Sequence, residues 1–160
     1  MNVLVTGGAG YIGSVVTEEL VKAGHVVVVY DNLSKGHRAA IVDGAAFVHA
    51  DIADSEKLKT TFSSNKIEAV VHMAADSLVG ESIQYPTRYY RNNALNGLTL
   101  LEAMLDTNVR RIVFSSTAAV YGEPEQQPIT ETTRNQPTNP YECNREQHQQ
   151  LFFKKRGSVN

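Results

Sequence analysis

Cysteine is nearly absent: Cys143 is the single one in 160 residues. That excludes an internal disulfide framework and a cysteine-built zinc site. Long apolar runs are missing too. None approaches the roughly 20 residues that span a bilayer, so no membrane partner is expected. No charge dominates: fifteen basic residues face seventeen acidic ones, for a formal net charge of -2. Such a chain has no global field to draw in nucleic acid. The start, Met1-Asn2-Val3-Leu4-Val5-Thr6-Gly7, has no basic stretch. No signal peptide is therefore expected, and a cytoplasmic location is. Internal repeats and low-complexity tracts are lacking, and no His/Asp/Glu spacing suggests a metal. What is present, 42% hydrophobic and 20% charged residues, fits a folded chain rather than a disordered one. The length fits one domain.

Apolar runs and helical spacings alternate along the chain. Asn2–Thr6, Val26–Tyr30, Ala46–Ala50, Glu68–Ala74 and Arg111–Ser115 read as five short strands, the first buried and the second covered on both faces. Between them, Tyr11–Ala23 places Ile12, Val15, Val16, Leu20 and Ala23 at helical spacing, with Gly24 at the C-terminal cap. Asp54 is placed to cap a helix over Ser55–Ser63. Pro86–Asn108 reads as one helix with Ala94, Leu98, Leu101 and Leu105 along a stripe. Ser34–Ala40 is a polar loop, and Gly122–Pro140, which holds four of the five prolines, is a long one. Strands alternating with helices predict a doubly wound parallel sheet of Rossmann-like α/β class. Residues 1–145 form the expected nucleotide-binding domain, and 146–160 a tail or frayed helix with an apolar patch (Leu151, Phe152, Phe153) and a basic cluster (Lys154, Lys155, Arg156).

Gly7-Gly8-Ala9-Gly10-Tyr11-Ile12-Gly13 lies between the first strand and the first helix. Gly7 suits the tight turn, Gly10 lets backbone approach a pyrophosphate, and Gly13 lets helix and sheet pack closely. The helix N-terminus, at Tyr11 and Ile12, then offers unpaired N–H groups and a positive dipole end to the anion. Asp31 ends the second strand, 18 residues after Gly13. A carboxylate there accepts from the adenosine ribose hydroxyls and repels a 2′-phosphate, which favours NAD over NADP. Lys35 and Arg38 nearby would soften that exclusion, and a strand-end turn with Asn32 is the other reading of Asp31. Asp51-Ile52 closes the third strand either as a flank for adenine or as a helix-capping turn.

These residues resemble the extended short-chain dehydrogenase/reductase superfamily. Three stretches narrow the likeness to its NAD-dependent sugar-nucleotide epimerases. They are the His72–Ser82 segment, Tyr89-Tyr90-Arg91-Asn92-Asn93, and Phe114–Gly122 with Ser115, Ser116 and Thr117. The likeness covers about 140 residues, and the motifs together are specific. It implies epimerisation at C4 of a UDP-sugar (UDP-galactose and UDP-glucose): NAD takes hydride from C4, the 4-keto sugar turns over, and hydride returns to the other face. Tyr141 matches the family's base and Thr117 its orienting hydroxyl. Met73, Ala74 and Ala75 match cofactor-contacting positions, with core packing the other reading of Met73. Ser77, Asn92 and Ser115 match polar positions near the nicotinamide half, and a homodimer is one assembly open to the chain. His72 reads as a satisfied buried histidine.

One position departs from the pattern. The family has a lysine four residues after the tyrosine, on the same helical face. Here that residue is Arg145. A guanidinium keeps the positive charge that helps a tyrosine of ordinary pKa about 10 to ionise. Its planar fork does not copy a compact ammonium on the nicotinamide ribose. The resemblance therefore implies weakened NAD binding and strongly reduced turnover. A sugar-nucleotide dehydratase is disfavoured, because Ala118-Ala119 rather than acidic residues follow Thr117. The other class of reading is a non-catalytic or truncated NAD-binding module. It is motivated by Arg145, by divergence from Glu142 onward, and by a likeness that ends after the fifth strand and the tyrosine helix, short of a substrate domain.

Overall fold

The structure, a computed structural model, describes residues 1–124 and 126–154. Five strands are present: β1 (Asn2–Thr6), β2 (Val26–Asp31), β3 (Ala46–His49), β4 (Ala69–His72) and β5 (Arg111–Phe114). They form one parallel sheet in the order β3-β2-β1-β4-β5. The six α-helices are α1 (Tyr11–Lys22), α2 (Ser55–Ser64), α3 (Val79–Gln84), α4 (Pro86–Tyr89), α5 (Asn96–Asp106) and α6 (Pro140–Lys154). Contacts divide the chain into two compact units. One holds Met1–Ala75 and Asn96–Ser115; the other holds Asp76–Leu95 and the described residues from Ser116 onward.

The first unit is the sheet with α1, α2 and α5. Alternation along β1 sends Val3 and Val5 to one face, where with Val27 they meet Leu20 and Val21 of α1. Leu4, Val28 and Val70 are registered side by side on the other face and are fully buried. α2 and α5 pack on each other, burying Leu58, Phe62, Leu100, Ala103 and Met104. Asp54 caps α2 by accepting from the Lys57 N–H at 2.9 Å. The chain leaves β1 toward β2 on one side and later returns to β4 on the other. The carboxyl ends of β1 and β4 therefore border the crevice where such sheets bind ligands.

α1 buries only part of the stripe its spacing predicts: Leu20 packs against the core. Ile12 is 60% and Val15 51% exposed, whereas Gly13 and Thr17 are the buried positions. The helix lies so close to the β1 loop that small residues fill the contact. A Cβ on Gly13 would run into the Gly7 carbonyl, and Thr17 returns its hydroxyl to the Gly13 carbonyl at 2.8 Å.

The second unit contains α3, α4 and α6. The stretch expected as one helix over 86–108 is interrupted: Tyr90–Leu95 forms a π-helical segment between α4 and α5. It seats the buried Asn93, and π-segments frequently occur at functional sites. α3 begins within the motif stretch 72–82 and runs to Gln84. Beyond residue 145, α6 runs on through 146 to Lys154. The side chains of the 151–153 patch and of the basic cluster, and the chain from 155 onward, lie outside the described residues.

Candidate functional site

In the sheet unit, the predicted cofactor residues gather at the carboxyl ends of the strands. Gly7 has φ +74, and a Cβ on it would lie 2.6 Å from the Ala74 backbone nitrogen. The loops after β1 and β4 thus touch backbone to backbone at the switch point. Gly10 caps α1 and brings no side-chain hydrogen bond, and the first turn has no acidic residue. The N–H groups of Tyr11 and Ile12 and the positive helix end are therefore open to an anion. Tyr11 is 89% exposed, so nothing of this unit covers that end. These features fit a pyrophosphate.

At the end of β2, Asp31 is buried, and its two oxygens accept from the N–H groups of Ala9 and Leu33 at 3.0 and 2.8 Å. Both readings of Asp31 therefore find support in the geometry: it organises a turn, and it sits beside the glycine loop. Asn32 donates to Asp51 Oδ2 at 2.7 Å and accepts from the Ser34 N–H. Asp51 Oδ1 accepts from the Ala53 N–H, the turn-capping arrangement. Ile52 is buried beside it in sequence. Buried Tyr30 donates to the Asp51 carbonyl, and its own pKa is raised, first by burial and then by the charges of Asp54 and Asp51. Arg38 is held over the Phe47 ring, 5.3 Å from its centroid.

Beyond β4, Met73 donates its N–H to the Thr6 carbonyl and packs partly against the core of Val3, Val5 and Val27. Ala74 and Ala75 are half-buried. Ser115 continues the β5 ladder by donating to the His72 carbonyl. His72 is buried, with Nδ1 2.6 Å from Thr6 Oγ1 and its ring stacked on Phe114.

In the second unit, α6 opens on a built cap. Asn139 Oδ1 accepts from the Glu142 N–H at 3.1 Å, and Glu142 reaches back to accept from the Thr138 N–H and hydroxyl. With Pro140 at the first helical position, this reciprocal capping fixes Tyr141 on the first turn. Tyr141 is buried, not a surface tyrosine, and meets Tyr89 edge-on at 6.5 Å. Arg145 is also buried, one turn on. Burial lowers its pKa while Tyr141 acts in the opposite direction, so the phenol lies within electrostatic reach of the guanidinium. Thr117 caps the 3₁₀ turn Ala118–Tyr121 by accepting from the Ala119 N–H. That turn packs against α6.

Behind Tyr141 lies a polar network that the motifs did not single out. Asn93 accepts from the Asp76 N–H, and donates to the Asp76 carbonyl and to Asn144 of α6. Arg88 bridges Asp76 and Glu81. The Tyr89 hydroxyl donates to Glu81 and accepts from the Leu78 N–H. Its pKa is pushed up to about 12, chiefly by burial. Asn92 is half-buried and donates to Asn93, while Ser77 is exposed. Neighbouring Asn residues in a helical pattern carry no sign of which one turns inward; the π-segment decides it. Among the described residues, no group of three His, Cys, Asp or Glu side chains is placed to hold a metal ion. No helix among them is long and apolar enough to cross a membrane.

A Gly-rich turn at the switch point of a five-stranded parallel sheet defines the Rossmann-like α/β class. The chain belongs to the NAD dependent epimerase/dehydratase family, whose model matches residues 3–151. It is 53% identical over 141 residues to the UDP-glucose 4-epimerase of Halalkalibacterium halodurans, covering 88% of this chain and 42% of that protein. Among solved structures it superposes on the UDP-glucose 4-epimerase of Brucella ovis in complex with NAD. The TM-score there is 0.94 at 40% identity, covering 98% of this chain and 48% of the other. The Stenotrophomonas maltophila enzyme, with bound NAD and formylated UDP-arabinopyranose, gives 0.95 at 38%, covering 99% and 49%. The chain thus spans about half the length of the solved chains it matches, and less than half of the curated relative.

Proposed function

We propose that this chain carries the NAD-binding portion and the acid–base pair of a UDP-sugar 4-epimerase acting on UDP-galactose and UDP-glucose. The reading also includes a cytoplasmic location and a homodimer. One observation carries it above the others: Tyr141 is buried on a capped first turn, one helical turn before a buried cation, on the helix against which the Thr117 turn packs. Relatives of 53% identity bear the epimerase name, and neighbours were solved with NAD and with UDP-sugars.

The residues divide the work. The glycine loop and the N–H groups of Tyr11 and Ile12 would hold the pyrophosphate, Asp31 and Asn32 the adenosine ribose, and Asp51 and Ile52 the adenine. Met73, Ala74, Ala75, Ser77, Asn92 and Ser115 would line the nicotinamide half. Bound NAD supplies the acceptor, and then the donor, of the C4 hydride. Tyr141 would take the proton of the C4 hydroxyl and return it. Thr117 uses its oxygen to accept from Ala119 and keeps a hydroxyl hydrogen with which to orient the sugar oxygen. Arg145 supplies a permanent charge beside the phenol, but its planar fork replaces a compact donor.

Conversion of UDP-galactose to UDP-glucose, followed in the wild-type chain, Arg145→Lys and Tyr141→Phe, tests these roles. Arg145→Lys is expected to raise turnover by about tenfold or more, and Tyr141→Phe to lose about 10²–10⁴-fold, the usual contribution of a general acid–base group. Equal rates in wild type and Arg145→Lys would sink the role given to Arg145. Binding of NAD with no turnover in any variant favours the second reading, a non-catalytic NAD-binding module, which the arginine itself motivates.

A further inference from the structure

We infer that Asp31 is a positioning residue of the phosphate loop, in addition to the ribose contact proposed for it; this rests on the reading that the loop takes a dinucleotide.

Ala9 lies at the centre of the Gly7–Gly13 loop, and its backbone is held on both sides. Its N–H donates to Asp31 Oδ2 at 3.0 Å, and its carbonyl accepts from the His37 N–H at 2.9 Å. Gly7 is tied to the same strand end, donating to the Tyr30 carbonyl at 2.9 Å. The other Asp31 oxygen accepts from the Leu33 N–H at 2.8 Å. Leu33 has φ +58, a left-handed conformation that costs an ordinary side chain energy and persists where the surroundings impose it. From this bend, residues 34–37 return over the glycine loop. Gly36 comes so close that a Cβ on it would lie 2.9 Å from the carbonyl carbon and oxygen of Ala9.

One carboxylate thus fixes two segments against each other. Each of its oxygens accepts about two hydrogen bonds, so one site per oxygen stays available for ribose hydroxyls. The Ala9 N–H is turned toward β2 and is not a phosphate donor. That role is left to the uncapped first turn of α1, whose position depends on the loop before it. Holding donors in place before the ligand arrives lowers the ordering cost of binding. Removing the carboxylate should therefore weaken even a ligand that has no ribose diol.

The test is calorimetric titration of the chain with ADP and with 2′,3′-dideoxy-ADP, for wild type, Asp31→Ala and Gly36→Ala. Wild type is expected to bind both, ADP more tightly. Asp31→Ala should weaken dideoxy-ADP by about tenfold, the scale set by leaving a buried donor unpaired. Gly36→Ala keeps the carboxylate and displaces Ala9 from the other side, so it should weaken dideoxy-ADP as well. Unchanged dideoxy-ADP affinity in Asp31→Ala would show that Asp31 reads the ribose alone and would overturn the inference. A wild-type chain that binds neither nucleotide overturns the dinucleotide reading itself, and the inference with it. Amide exchange in nucleotide-free Asp31→Ala, which leaves the Ala9 N–H no side-chain acceptor at this position, is a second readout. Exchange at Ala9 should rise about tenfold while that of β1 is unchanged; unaltered exchange at Ala9 contradicts the clamp.

Discussion

Alanine in place of Gly7 is expected to weaken NAD binding by about a hundredfold or more and to lower stability by about 2 kcal/mol. The cause is backbone, not side chain. Gly7 holds φ +74, and the added Cβ would stand 2.6 Å from the nitrogen and 2.7 Å from the Cα of Ala74. The left-handed conformation alone costs a non-glycine residue roughly 1–2 kcal/mol. Relief would require β1 and β4 to separate at the crevice. Gly10→Ala is the informative contrast. Its Cβ would meet nothing in the protein closer than the Gly7 carbonyl oxygen at 3.3 Å. It should cost less stability than Gly7→Ala, since the Gly7 carbonyl need give by only a few tenths of an ångström, and still obstruct a pyrophosphate. Urea unfolding and NAD titration of the two variants separate the effects. Wild-type affinity in Gly7→Ala would refute the account of the loop.

Asn93→Ala is expected to destabilise the second unit by about 3 kcal/mol and to abolish any turnover. Asn93 is 1% exposed, and its amide serves four partners: the N–H and carbonyl of Asp76, Asn144 of α6, and the side-chain amide of Asn92. Alanine leaves all of them without that partner in a dry site, where each such group costs about 1–3 kcal/mol. Asn144 is itself anchored to the Pro140 carbonyl, so the loss reaches the turn that carries Tyr141. Hydrogen exchange along α6 in Asn93→Ala should accelerate by about two orders of magnitude. Exchange at wild-type rates would show that the network does not hold the helix.

The five strands were legible because a parallel sheet covered on both faces needs continuous apolar runs, and Val26–Tyr30 is one. Asp54 announced α2 because a cap is a local matter. The buried face of α1 was legible only in part, at Leu20. Periodicity favours Ile12 and Val15, while close approach to the sheet selects Gly13 and Thr17, and apolar spacing carries no information on interaxial distance. The π-segment at Tyr90–Leu95 was hidden for a related reason: the Asn93 it seats bonds residues 17 and 51 positions away in sequence. The site was legible where it rests on local chemistry. The glycine loop and the Asp31 turn belong to that class, whereas the second task of Asp31, on Ala9, appears only when two loops are brought together.

NAD and NADP titrated side by side into the wild-type chain test the central claim most directly. The buried Asp31 carboxylate beside the glycine loop should admit the free ribose hydroxyls of NAD and repel a 2′-phosphate. The account predicts saturable binding of NAD, with NADP at least about tenfold weaker. Equal affinity for the two, or no binding of NAD, would contradict it.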